Sequence, residues 1–141
     1  MGRARRRVPP DADIVWRLFE AAAERVEEGK AALVAAVPTA RVEGRPMAEA
    51  VLDFERELRS AGGLMEPWRR SEHEALWIAC RHGLEVALRR AERARLRAPS
   101  LDFEALVELI GEIMEPLDPF AEAERVLKVQ ARRRRFRRAR P

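Results

Sequence analysis

The amino-acid sequence predicts an all-α protein, with about five helices in a mainly antiparallel bundle around one long central helix. Apolar residues recur three and four positions apart along most of the chain, which is the spacing of one face of an α-helix. Alanine is abundant, β-branched residues are scarce and tyrosine is absent, and this composition argues against a β-sheet protein. A chain of 141 residues suits one hydrophobic core, so we expect a single domain.

Two helices are predicted before the central one. The first begins at Asp11 or Asp13, since an aspartate side chain can cap the first N–H groups of a helix, and it is expected to end before Pro38. The second is predicted over Pro46–Ala61, because the glycines at positions 62–63 give the usual signal for a helix end.

The connection after the second helix carries large apolar side chains, which is unusual for a loop. Leu64, Met65 and Trp68 all lie within residues 62–70. Two interpretations are open: these side chains cover the open end of the bundle, or they form the edge of a binding site.

The bundle is organised around the predicted central helix, Ser71–Arg97. Ser71 and Glu74 have the spacing of a capping box, in which each side chain accepts a hydrogen bond from the backbone N–H of the other residue. Gly83 falls in the middle of the buried face, where glycine costs about 1 kcal/mol relative to alanine, so we expect a neighbouring element to pack closely there. That face, with two flanking residues, consists of Leu76, Trp77, Cys80, Gly83, Leu84, Ala87, Leu88, Ala91 and Ala94.

Three apolar residues of the central helix fall outside its buried face: Ile78, Val86 and Leu96. Either this helix has neighbours on two sides, or these residues contact another subunit. The sequence leaves both readings open, and the three residues are a candidate face for homo-oligomer formation.

The last two helices complete the predicted bundle. Ser100 is the expected N-cap of the fourth helix and Pro116 its end, while Asp118 and Pro119 open the fifth. The inner face of the fifth helix ends at Ala131, and arginines then occupy every side of it. The inner face of the fourth helix is predicted to consist of Phe103, Leu106, Val107, Ile110, Ile113 and Met114.

Charge is unevenly distributed along the chain, whose formal net charge is +4. Residues 1–10 hold four arginines and no acid, and residues 128–141 hold eight basic residues and no acid. Residues 11–127 hold 16 basic and 24 acidic residues, a net charge of −8. We therefore divide the chain into a basic, disordered N-terminal arm (1–10), one helical-bundle domain (11–131) and an arginine-rich, partly helical and flexible C-terminal extension (132–141).

The two arginine-rich ends are the strongest functional signal in the sequence. Guanidinium groups bind phosphate and an interleaved phenylalanine can stack on an exposed base, so RNA or DNA fits these segments, as does an acidic protein surface. Such contacts hold a phosphate backbone without reading bases, so we expect low sequence specificity. The candidate binding residues are Arg3, Arg5, Arg6, Arg7, Arg132, Arg133, Arg134, Arg135, Phe136, Arg137, Arg138 and Arg140.

The sequence offers little for catalysis. Cys80, the single cysteine, is expected to be a buried and reduced thiol, and His73 lies too far along the helix from it to share a metal ion. His82 and Glu85 have the residue types of a di-iron pair, but in reversed order and only once. We expect no catalytic residue, metal or cofactor, and a metal-dependent helical-bundle enzyme is the less favoured alternative.

The sequence thus predicts a non-enzymatic interaction protein whose basic tails engage an acidic partner. The alternatives are a self-associating bundle or scaffold whose tail binds protein, and attachment of the tail to an anionic membrane surface. No apolar run approaches the roughly 20 residues of a membrane span. The basic N-terminus lacks the apolar core of a signal peptide, so a cytoplasmic location is expected.

Overall fold

Helices make up the secondary structure of the described chain. The computed structural model describes residues 11–40, 44–97 and 103–139, and these ranges contain no β-strand. The all-α prediction is therefore confirmed. The elements are α1 (Ala12–Ala40), α2 (Gly44–Met65), α3 (Glu74–Arg97), α4 (Phe103–Met114) and α5 (Pro119–Ala139), with short 3-10 turns at Glu66–Trp68 and Glu115–Leu117.

The first two helices pack antiparallel. Near the start of α1, the Phe19 ring lies 6.2 Å from the Trp68 ring, which follows the end of α2. Further along α1, Arg25 pairs with Glu57 at 3.7 Å. Asp11 caps the start of α1. Its Oδ1 accepts hydrogen bonds from the backbone N–H groups of Asp13 and Ile14 at 3.0 and 3.1 Å.

Helix α5 returns along α1 in the opposite direction. The Phe120 ring stacks on Phe19 with the centroids 5.8 Å apart and the planes 26° from parallel. At the other end of α5, Arg134 Nη2 lies 3.6 Å from Asp11 Oδ2. The end of α5 is therefore placed beside the start of α1.

Two predicted helix ends are wrong, because the helices continue past the residues that normally end them. α1 passes Pro38 and ends at Ala40; the proline's missing N–H and its ring disturb only the final turn, and the helix continues for just two residues beyond it. α2 passes Gly62 and Gly63 without a positive φ and ends at Met65. Met65 is fully buried, and burying such a side chain stabilises the last turn by about 1.5–3 kcal/mol, which offsets the two glycines.

The residues between α2 and α3 cover one end of the bundle. Trp68 is fully buried, with its ring edge-on to that of Phe19. The Trp77 indole N–H donates a hydrogen bond to the Met65 carbonyl oxygen at 2.8 Å. The first interpretation of the apolar connection therefore holds for Met65 and Trp68, which belong to the core.

The predicted capping box at the start of the central helix is wrong. The Ser71 hydroxyl accepts a hydrogen bond from the His73 N–H at 3.1 Å, whereas α3 begins at Glu74, whose side chain is exposed. The Trp77 N–H donates to the His73 carbonyl oxygen at 3.0 Å. The Ser71 hydroxyl thus stabilises the turn before the helix, and α3 begins three residues after the predicted start at Ser71.

The buried face of α3 agrees with the prediction, and it explains Gly83. Cys80, Gly83 and Leu84 are buried, as are the alanines further along the same face. A β-carbon at position 83 would collide with the Pro116 carbonyl oxygen in the turn after α4. Glycine is therefore required where this turn crosses the middle of α3.

The inner face of α4 is narrower than predicted. Leu106, Ile110 and Ile113 are buried, but Phe103 and Val107 are 37% and 46% exposed. Since this helix is short and packs through one stripe, only positions three and four residues apart reach the core. The predicted N-cap, Ser100, lies outside the described residues.

Candidate interaction surfaces

The C-terminal extension continues α5 as a helix as far as Ala139. Ala131 is its last buried residue among the described side chains, and Arg132, Arg133 and Arg134 are exposed. Arginine favours helix, and cations near a helix C-terminus interact favourably with the helix dipole, so the segment stays helical without a core contact. Arg132 and Arg133 form no ion pair with a described side chain, whereas Arg134 pairs with Asp11.

The two arginine-rich ends are joined to the same end of the bundle. Asp11, the first described residue, caps α1 with one carboxylate oxygen and lies beside Arg134 with the other. The attachment points of the arm and the extension are thus brought together. The remaining predicted binding residues lie outside the described side chains: Arg3, Arg5, Arg6, Arg7, Arg135, Phe136, Arg137, Arg138 and Arg140.

The second face of α3 is solvent-exposed but not continuously apolar. Ile78 is 54% exposed and Leu96 is 85% exposed, while Val86 is half-buried. Eighteen residues separate Ile78 from Leu96, which is about 27 Å along a helix. Arg89 and Arg93 lie exposed between them on this face. The candidate oligomer residues are therefore accessible, but they do not form one apolar patch.

A buried ion pair that sequence reasoning missed joins α2 to α3. Glu55 is fully buried, and its carboxylate lies 2.6 Å from Arg95 Nε and accepts a hydrogen bond from Arg95 Nη2 at 3.2 Å. Arg59 lies 3.8 Å from the same carboxylate and 3.4 Å from Glu92. The available signal was that Glu55 directly follows Phe54 at the edge of an apolar face. Glu55 is enclosed between the two packed helices, whereas Arg95, Arg59 and Glu92 are partly exposed, so we interpret the network as a structural link between α2 and α3.

Cys80 and the two histidines differ in their burial. Burial raises the pKa of the Cys80 thiol from 9.0 to about 12, which keeps it protonated and poorly nucleophilic. His73 is buried, with its Nε2 3.9 Å from Glu72, and His82 is exposed. Within the described ranges, no group of three or more His, Cys, Asp or Glu side chains is placed to hold a metal ion.

A groove lies between α1 and the beginning of α5. Its volume is about 320 Å³; Trp16 is half-buried in its wall, while Phe19 and Phe120 form its floor and are themselves buried. Lys30, the basic residue of this lining, pairs with Glu27 at 3.4 Å. The carboxylates of the groove belong to Glu20, Glu24, Glu27, Asp118 and Glu124.

The α1 glutamates of this groove, Glu20, Glu24 and Glu27, are exposed. Asp118 and Glu124 lie about 100 residues later in the chain, so the sequence pattern does not connect the two groups. Only the packing of α5 on α1 brings the two acidic groups to one groove.

Comparisons of the chain with protein-family models, with curated proteins and with solved structures give no match. In the described part of the chain, no helix combines the length and apolarity needed to span a membrane. Fold and surfaces together define the class of protein: an all-α bundle with a cationic helical extension.

Proposed function

We propose that the protein is a non-enzymatic binding protein whose arginine-rich ends attach to an acidic macromolecule, with RNA or DNA as the partner that fits best. The observation that carries the proposal is that Arg132 and Arg133 are exposed and form no ion pair with a described side chain, on a helix that continues past Ala131, its last buried residue among those described. Guanidinium groups that are held on a helix and not neutralised by the body are available to phosphate oxygens.

The charge distribution supports a contact confined to the ends of the chain. The body carries a net charge of −8, so it repels a phosphate backbone, while residues 128–141 carry eight basic residues. If all eight contacted phosphate, the logarithm of the binding constant would fall against the logarithm of the salt concentration with a slope of roughly −6 to −7. Affinity of this kind depends little on base sequence.

The test is a salt-dependent binding titration of the full chain with short RNA and DNA. In the test variant, glutamine replaces Arg132, Arg133, Arg135 and Arg137; glutamine favours helix nearly as well as arginine. Arg134 is kept, because it pairs with Asp11. We expect binding at low salt to weaken at least about tenfold and the slope to become less steep by roughly 3–4.

A matched control removes the same charge from the body. Its four substitutions, Arg to Gln at Arg17, Arg56, Arg70 and Arg125, fall on exposed side chains. The control should bind nucleic acid with the wild-type slope. If the wild-type chain does not bind, or if the control loses as much affinity as the test variant, nucleic-acid binding by the extension is wrong.

A further inference from the structure

We propose that the groove between α1 and α5 binds the C-terminal extension of a second copy of this chain, so that the protein self-associates through α5. This goes beyond the proposed function, because it assigns a binding surface to the acidic body and does not require nucleic acid. Its basis is a complementarity between the groove and the residue types of the extension, which cannot meet within one chain.

The groove is lined by the half-buried ring of Trp16 and by carboxylates, most of which form no ion pair with a described side chain. Glu20, Glu24, Asp118 and Glu124 form no ion pair with a described side chain, while Glu27 pairs with Lys30. Like charges placed around one groove repel one another, and a cation entering between them relieves that repulsion.

Arginine is the cation that matches this lining. Its guanidinium plane stacks on aromatic rings and donates paired hydrogen bonds to carboxylates, which a lysine ammonium group does less well. Trp16 is half-buried in the groove wall and its ring lies 6.0 Å from that of Phe19. A segment that carries arginines and one aromatic residue, such as residues 132–138, has both kinds of group that the groove accepts.

The extension cannot enter the groove of its own chain. α5 is one continuous helix, so Arg132 lies roughly 16 Å along its axis from Ala121 at the groove. The contact between Arg134 and Asp11 shows that the extension runs to the start of α1, away from the groove. The extension of another copy has no such restriction.

Charge along α5 suits a reciprocal, two-fold arrangement. Acidic residues lie at its beginning: Asp118 directly precedes the helix, and Glu122 and Glu124 lie in its first two turns. Its last turns carry arginines. Two antiparallel α5 helices would place each extension at the partner's groove and oppose their helix dipoles favourably. Each copy would use its groove and its extension once, which closes the assembly as a dimer.

The first experiment measures the mass of the full chain by sedimentation equilibrium over a range of concentrations at roughly 50 mM salt, where ion pairs are weakly screened. The wild type should be a concentration-dependent dimer. A groove variant with Glu20→Gln, Glu24→Gln and Glu124→Gln should have a dissociation constant at least about tenfold higher. A control variant with Glu49→Gln, Glu104→Gln and Glu108→Gln makes the same charge change on exposed sites outside the groove and should remain a dimer.

The second experiment exchanges the charges between two variants. One reverses the groove with Glu24→Arg and Glu124→Arg, and the other reverses the extension with Arg133→Glu and Arg137→Glu. Each variant alone places like charges in groove and extension, so each should be monomeric. An equal mixture restores attraction at both contacts and should form a mixed dimer, which a role confined to folding would not produce.

Several outcomes would overturn the inference. They are a monomeric wild type at low salt, a control that dissociates as readily as the groove variant, and a mixture that stays monomeric. Dissociation by Ile78→Glu with Leu96→Glu, but not by the groove variant, would place the interface on α3. If the dimer dissociates only when glutamine replaces Arg3, Arg5, Arg6 and Arg7, the groove binds the N-terminal arm of the partner and not its extension.

The two proposals fail separately. The groove variant should lose the dimer but retain nucleic-acid binding, since its extension is intact. The variant with four glutamines in the extension should lose both properties. If it loses only the dimer, nucleic-acid binding by the extension is wrong; if it loses only nucleic-acid binding, the groove inference is wrong.

Discussion

The Glu55 carboxylate lies 2.6 Å from Arg95 Nε, with no solvent exposure of the Glu55 side chain, and this pair fixes α2 against α3. A buried carboxylate is unfavourable unless charged or polar groups compensate for the loss of water. Arg95 supplies that compensation with two nitrogens, and Arg59 adds a weaker contact at 3.8 Å.

Replacing Arg95 should therefore destabilise the fold. Arg95→Leu leaves Glu55 buried beside Arg59 alone, and we expect the free energy of unfolding to fall by about 2–4 kcal/mol. Arg93→Leu is the matched control, because Arg93 is exposed on the same helix and should change stability by no more than about 0.5 kcal/mol. Urea unfolding of the two variants measures the difference, and equal effects would show that the pair has no stabilising role.

For the stability of Gly83→Ala, the close approach of Pro116 predicts the opposite of what helix propensity predicts. Alanine normally stabilises a helix relative to glycine, but a β-carbon at Gly83 collides with the Pro116 carbonyl oxygen. Gly83→Ala should destabilise the protein by about 1–3 kcal/mol, whereas Gly111→Ala, at a glycine with open space around it, should stabilise it by about 0.5–1 kcal/mol. A gain in melting temperature for Gly83→Ala would contradict the close approach.

Burial of Cys80 predicts a loss of stability in alkaline solution. The unfolded chain releases the thiol proton near pH 9, but the folded chain holds it to about pH 12, so ionisation favours unfolding between these values. Cys80 should contribute no pH dependence below pH 9 and a fall of up to about 1.4 kcal/mol per pH unit above it. Cys80→Ala removes this titration, so the pH dependence of unfolding should be shallower in the variant. Identical slopes would show that the thiol is not protected by burial.

The narrow inner face of α4 can be tested with two neighbouring residues. Leu106 is buried and Val107 is 46% exposed. Leu106→Ala should lower the free energy of unfolding by about 2–4 kcal/mol, because it leaves a cavity. Val107→Gln should change it by less than about 0.5 kcal/mol. If chemical denaturation shows comparable losses of unfolding free energy for the two variants, Val107 belongs to the core, as the apolar pattern of the sequence suggested.

Much of the fold follows from the sequence because helix faces are local. The α3 face from Cys80 to Ala94 repeats every three or four residues, and that repeat alone identifies which residues are buried. Helix ends were predicted less well. Pro38 and the glycines at 62–63 are breakers by local preference, yet burial of residues such as Met65 outweighs that preference. Tertiary packing sets this balance, so local sequence does not reveal it.

The sequence by itself determined that this is an all-α chain with an acidic body and arginine-rich ends, because periodicity and charge are read from neighbouring residues. Only the tertiary structure decided that Glu55 meets Arg95, that Gly83 receives Pro116, and that Glu24 faces the same groove as Glu124. These residues are between 33 and 100 positions apart in the chain. Their meeting depends on which helices pack together and at what register, which is a property of the whole core.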